Sequence, residues 1–303
     1  MPRTVSNPPN PWESTHVEWL GEPPAARLEV LEERARTVLS RNDSPDVPFR
    51  WGVNPYRGCQ HACAYCYARP SHQYLGFGAG TDFDKRIVVK TNAPECLARE
   101  LAKKSWRGEP ITFSGNTDCY QPLEASYELT RGCLSVCLAR RNPVAVLTKS
   151  ALVQRDLDLL VALHERARAK VFLSIPFLDA RTCRAIEPGA PTPDKRFETL
   201  RALSEAGLET GIAIAPVIPG LSDQDVPGLL DRAREAGARR AFLTLLRLPR
   251  EVRPVFEERV AEAFPDREQK IRHALEEMRA GQARPAAFGT RLTGTGARWQ
   301  QKR

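Results

Sequence analysis

Six apolar runs of five to nine residues alternate with stretches of helical periodicity, and this alternation most limits how the chain can fold. The runs are WGVNP at 51–55, ITFSGN at 111–116, VAVLTK at 144–149, KVFLSIP at 170–176, TGIAIAPVI at 210–218 and RAFLTLLRL at 240–248. Between them, 123–141, 152–168, 194–207 and 222–237 each place Leu, Ala or Val on one helical face. Strands separated by helices predict parallel strands joined by crossovers, an α/β fold. A closed eight-unit barrel takes roughly 250 residues. Six units in about 200 residues fit a partial (βα)6 TIM-like barrel, with its active site at the carboxyl ends of the strands.

The flanks are less regular. Residues 1–48 hold eight prolines and one periodic stretch, AARLEVLEERARTVL, whose Leu28, Leu31, Ala35 and Val38 predict one amphipathic helix. The predicted layout is an N-terminal extension over 1–48, the barrel over 49–250 and a helical extension with a basic tail over 251–303. RIVVKT at 86–91 reads as a seventh strand or an excursion from the cysteine-rich loop. Ser222 and Asp225 predict a capping box, while Gly207 and Gly237 predict left-handed helix ends.

The segment NPYRGCQHACAYCYARP sets Cys59, Cys63 and Cys66 at C-x-x-x-C-x-x-C spacing just after the first predicted strand. Three thiolates this close can hold three irons of a cubane cluster and leave the fourth iron open for reaction. The same residues admit a structural zinc, with His61, His72, Cys96 or Cys119 as fourth ligand. Cys133 and Cys137 share a helical face with Leu129 and read as core, as do the isolated Cys96 and Cys183. No stretch reads as a signal peptide or approaches the roughly 20 apolar residues of a membrane span, so a reducing cytoplasm is expected. There, eight cysteines mean metal, catalysis or packing rather than disulfides. The net charge of +8 suits a polyanionic partner. From Arg279 to Arg303 there are six Lys or Arg and no acid, and Phe288 and Trp299 add rings able to stack on bases.

The cysteine triplet, with Tyr65 before its last member, resembles the signature loop of the radical S-adenosylmethionine superfamily. Together with SGNTDCYQPLE, TKSALVQRDLDLL, APVIPGLSD and LLRLP it resembles the spore photoproduct lyase-like branch over residues 49 to 290. The resemblance implies a radical SAM partial barrel, a 4Fe-4S cluster on Cys59, Cys63 and Cys66, and S-adenosylmethionine bound at the open iron. It implies reductive cleavage to a 5′-deoxyadenosyl radical that abstracts hydrogen from a substrate, DNA or RNA or else a peptide or small metabolite, and an electron donor such as flavodoxin or ferredoxin. A zinc-stabilised nucleic-acid-binding protein is the non-catalytic alternative. By resemblance, Asn116, Thr117 and Asp118 bind the methionine end of the cofactor, and Lys149, Ser174 and Arg247 its carboxylate or ribose. Tyr65 and Val217, with Ile218, contact the adenine. Lyases use tyrosines such as Tyr67 with a cysteine to return hydrogen; that cysteine corresponds to Gly115, and Cys119 is the nearest thiol to take its place.

Overall fold

The computed structural model describes residues 5–15, 26–278 and 292–293. Ten strands form two sheets: β1 Glu29–Glu33, β2 Leu39–Arg41, β3 Trp51–Val53, β4 Tyr56–Arg57, β5 Arg86–Lys90, β6 Ile111–Phe113, β7 Val144–Thr148, β8 Ala169–Ser174, β9 Glu209–Val217 and β10 Arg240–Leu245. The larger sheet runs β10-β9-β8-β7-β6-β3-β2, with β3, β6, β7, β8, β9 and β10 parallel and β2 antiparallel at the edge. The six parallel strands are the six predicted runs, in chain order, and they make a partial barrel. Alignments such as Trp51↔Ile111 and Ile111↔Val144 bring their carboxyl ends to one side.

Helices return the chain between those strands: Leu129–Ala139 before β7, Leu157–Ala167 before β8, Pro193–Glu205 before β9 and Val226–Glu235 before β10. Their apolar faces pack Leu134, Leu160, Leu200 and Leu229 against Phe113, Val146, Val171 and Ile212 of the sheet. Gly207 and Gly237 end two helices at φ 87° and 88°, as predicted. Thr192 caps the helix Pro193–Glu205 through the Lys195 N–H. The helices Val252–Ala263 and Glu268–Met278 follow β10, and their Phe256, Val260 and Ile271 pack against Cys63, Ala64 and Tyr65.

Four expectations are corrected. The N-terminal stretch forms no helix: 29–33 is β1, parallel to β5, and Leu39 opens β2. The reason is tertiary. β5 is an apolar strand whose Ile87 and Val89 are buried, and Val30 packs beside them, which outweighs a weak local helix preference. RIVVKT is thus a strand of the separate β1-β5-β4 sheet. Second, 123–141 is not one helix, because Glu128 turns left-handed (φ 51°) between Glu124–Tyr127 and Leu129–Ala139. The Glu124 carboxylate accepts the Thr130 and Arg131 N–H groups at 3.0 and 3.3 Å, capping the second helix from within the first. Third, no capping box forms at 222–225. Ser222 Oγ accepts the Ile218 N–H at 3.1 Å and Asp225 the Leu178 N–H at 3.2 Å, so both side chains serve neighbouring loops. Fourth, β4 separates the cysteine loop from β3. The basic tail, Phe288 and Trp299 lie outside the described residues. Among the described residues, no helix is long and apolar enough to cross a membrane.

Candidate active site

The cysteine loop is clamped from three directions. Gly58 enters it at φ 78°, where a Cβ would come within 2.9 Å of His72 Cε1, Ile87 Cδ1 and the Phe83 carbonyl, so only glycine fits. The Cys59 N–H donates to that carbonyl at 2.9 Å. The buried Gln121 side chain spans Cys59, donating to the Gly58 carbonyl and accepting the Gln60 N–H, each at 3.1 Å. The fully buried Arg69 donates to the Cys63 carbonyl (3.0 Å) and the carbonyls of Ala79 and Gly80, and forks onto Asp84 at 2.9 and 3.2 Å. On the third side the Ala64 N–H reaches the Ile186 carbonyl (3.0 Å), and the Gly189 N–H reaches that of His61 (3.1 Å).

Cys59 and Cys63 are buried, Cys66 is half-buried, and all three are free thiols. Burial pushes the Cys63 thiol up, and Cys66 to about 11. A metal bound there would have to displace these protons, since it is the thiolate that ligates. Among the described residues no three His, Cys, Asp or Glu side chains group into a site for a single ion. A cubane does not require such convergence, since its thiolates ligate different irons. The donor set of three adjoining thiols fits an iron-sulfur cluster.

Beside this loop lies a buried polar cluster. Lys149, one residue beyond β7, donates from Nζ to Ser174 Oγ at 3.1 Å, and its ammonium lies 3.8 Å from Glu187 and 5.8 Å from the Tyr65 ring centre. Glu187 accepts from the Tyr65 hydroxyl and from Arg196. Arg196 also donates to the Ser174 carbonyl at 2.8 Å. Burial alone would raise the Glu187 carboxyl, but Arg196 and Lys149 outweigh it and hold it below its usual value. Burial likewise works against the Lys149 ammonium, which Cys63 and Glu187 favour by more. The mouth thus keeps a cation, a hydroxyl and a carboxylate within reach of the cysteine loop.

The structure brings most of the predicted residues to this mouth. Asp118 is a tie-point: one oxygen accepts Thr148 Oγ1 (2.7 Å) and the Tyr120 N–H (2.9 Å), the other the Lys149 N–H (2.8 Å). His61 Nδ1 lies 3.2 Å from the second oxygen, close as a charge but not aligned for a hydrogen bond. Although burial opposes it, Asp118 is held down at about 2 by His61 and these donors. Thr117 Oγ1 donates to the Tyr56 carbonyl at 3.0 Å, and Asn116 Nδ2 lies 3.4 Å from Ser71 Oγ. The Tyr67 hydroxyl donates to the Gly115 carbonyl at 2.6 Å. A Cβ at Gly115 would sit 3.2 Å from the Phe49 ring, so that ring occupies the space of a side chain there. Arg247 is half-buried two residues past β10. Val217 and Ile218 are buried at the end of β9. Cys119 does not join the others. It lies wholly in the main core, its carbonyl accepting from Thr130, and burial pushes its thiol up.

Sequence reasoning missed Arg69, Gln121, Glu187 and Arg196. A signal existed for Glu187, an acid wedged between Ile186 and the turn-forming run PGAPTP. Arg196 sits in a helix full of charges, and nothing local marks it as the one turned inward.

Six parallel strands whose carboxyl ends hold a clamped, thiol-bearing loop define a class: a partial-barrel α/β protein with a metal-competent mouth. The sequence profile of the Radical SAM superfamily matches residues 53–233, more than half of the chain, and the chain belongs to that superfamily. An uncharacterised Mycobacterium tuberculosis (strain H37Rv) protein is 42% identical over 194 residues, 63% of this chain and 57% of its own length. The match therefore spans little more than half of that relative. A protein of Pseudomonas phage M6 named radical SAM Nalpha-GlyT isomerase is 25% identical over 233 residues, 76% of this chain and 46% of its own. Among solved structures, a spore photoproduct lyase mutant with bound AdoMet and dinucleoside spore photoproduct superposes with a TM-score of 0.57. It is 19% identical, covering 78% of this chain and 66% of that one, a likeness of fold.

Proposed function

We propose that the chain is a radical S-adenosylmethionine enzyme whose Cys59, Cys63 and Cys66 hold a 4Fe-4S cluster, acting on a nucleic-acid substrate. The observation that carries this reading is the thiol loop at the carboxyl mouth of a radical SAM fold, with Lys149, Ser174 and Glu187 beside it. When bound, the cluster and S-adenosylmethionine supply a one-electron cleavage whose 5′-deoxyadenosyl radical removes a hydrogen atom from substrate. The chain positions and excludes. Lys149 offers its ammonium to the cofactor carboxylate, Ser174 its hydroxyl, and Asn116 its amide to the methionine end. Thr117 and Asp118 hold the β6 turn in place, Tyr65, Val217 and Ile218 wall the adenine, and Arg247, two residues past β10, supplies a further cation for the cofactor's carboxylate or ribose. Tyr67, exposed at the entrance, is the proposed side chain for hydrogen transfer to or from substrate; Cys119 stands behind the wall.

Nucleic acid is supported by the +8 charge and by the dinucleoside in the lyase of like fold. Reduction by a flavodoxin or ferredoxin and a cytoplasmic site suit an oxygen-sensitive cluster. The test is anaerobic reconstitution with iron and sulfide, then reduction in the presence of S-adenosylmethionine. The protein should turn brown and release 5′-deoxyadenosine, and Cys→Ala at position 59, 63 or 66 should abolish both. Zinc in a colourless protein, or cleavage that survives all three changes, would overturn the assignment.

A further inference from the structure

Among the described residues five large apolar side chains are exposed, and three of them, Trp12, Tyr67 and Tyr74, lie on the cysteine loop, on the 3-10 helix that follows it, or against that helix. Tyr67 belongs to the cysteine loop and is 56% exposed, its hydroxyl anchored on Gly115. Tyr74 lies on the 3-10 helix Arg69–Leu75 that follows. Side chains three apart eclipse on such a helix, so Tyr74 shares an edge with Ser71, which contacts Asn116 at the end of β6. Tyr74 is 72% exposed, and the 67% exposed Trp12 packs on it at 5.6 Å between ring centres, tilted 36°.

Trp12 does not hang from a loose end. Residues 5–13 are stitched along 73–82. The Val5 N–H donates to Thr81 Oγ1 (3.0 Å), and Asn7 Oδ1 accepts the Gly80 and Asp82 N–H groups (3.1 and 3.2 Å). Asn10 Nδ2 donates to the Gln73 carbonyl (3.2 Å), and Gln73 Nε2 to that of Pro9 (3.3 Å). A Cβ at Gly78 would lie 2.3 Å from Asn7 and one at Gly80 2.1 Å from the Ser6 carbonyl, so both positions need glycine to receive this strap. Asn10 Oδ1 then accepts the Trp12 N–H at 3.0 Å and turns the backbone beneath the ring. An anchored segment that holds its indole in water, against an equally exposed phenol, forgoes the burial an aromatic ring favours unless something covers the pair.

We propose that Trp12 and Tyr74 are a stacking platform for an unpaired nucleobase, one that flanks the nucleotide entering the mouth. This rests on the reading of the substrate as nucleic acid. Ring faces suit any base, and the +8 charge of the chain as a whole favours a polyanion, the combination that holds single strands.

Fluorescence anisotropy of the full chain with a short fluorescein-labelled thymidine strand tests this. Trp12→Ala and Tyr74→Ala should each weaken binding about tenfold. Trp12→Phe should restore most of it, and the salt dependence should not change, because no phosphate contact is removed. An abasic strand of equal length should bind the unaltered protein and both Ala variants alike. Matching melting midpoints establish that the variants fold. Unchanged affinity for the thymidine strand, an equal loss on the abasic strand, or Trp12-dependent capture of an aromatic peptide but no strand would each overturn the platform. Failure of both strands to bind the unaltered protein would overturn the nucleic-acid reading itself, whereas binding that is indifferent to Trp12 and Tyr74 would overturn the platform alone.

Discussion

Arg69 shows how much of the mouth depends on side chains that brace the backbone of the cysteine loop from behind. Its guanidinium closes the cysteine loop on one side and neutralises the buried Asp84 on the other. Arg69→Met should therefore destabilise the metal-free protein by about 3–5 kcal/mol in urea unfolding, the usual penalty for stranding one member of a buried pair. Asp118 makes a second prediction, in pH. Its folded value lies at about 2, below the ordinary 3.8. Its stabilisation is present above pH 3.8 and is lost as pH falls through about 2. Asp118→Asn should cost about 2 kcal/mol at neutral pH, with the gap to the unaltered protein closing over that window. A gap that persists unchanged at pH 2 would show that charge is not the source.

At the scale of elements, Glu124 joins two helices, Tyr56 (2.5 Å) and Arg155 (2.7 Å). Glu124→Ala should remove the cap of Leu129–Ala139 and leave Arg155 paired with Asp156 alone, lowering stability by about 2 kcal/mol, with Glu124→Gln recovering part of it. The six parallel strands and most of their helices were legible because both signals are local: apolar runs such as VFLSI, and helices with one apolar face. Val30 and Leu31 were not, because their strand conformation depends on an apolar neighbour, β5, nearly sixty residues away. The mouth followed the same division. The cysteines and the positions at strand ends were readable by spacing, whereas Glu187 and Arg196 acquire meaning only when folding sets them against Tyr65 and Ser174.

For the molecule as a whole, the cysteine loop packs in an apolar cluster of its own, separate from the main core, that joins Tyr65 to the C-terminal helices. Leu134→Ala or Leu160→Ala, far from the mouth, should each cost about 2–5 kcal/mol and should not alter the iron content of reconstituted protein at low temperature. Ligand binding to the folded form alone raises the melting midpoint. Reconstituted protein should accordingly melt higher than metal-free protein, and chelation should reverse the gain.

The distribution of the eight thiols has a practical corollary. Cys96, Cys119, Cys133, Cys137 and Cys183 are sealed in the interior, Cys59 and Cys63 are nearly so, and Cys66 alone has partial access to water. An alkylating reagent applied to native protein should therefore mark Cys66 first, and only while it carries no iron. The mass added per chain then measures the unfilled fraction of a preparation without a spectrum.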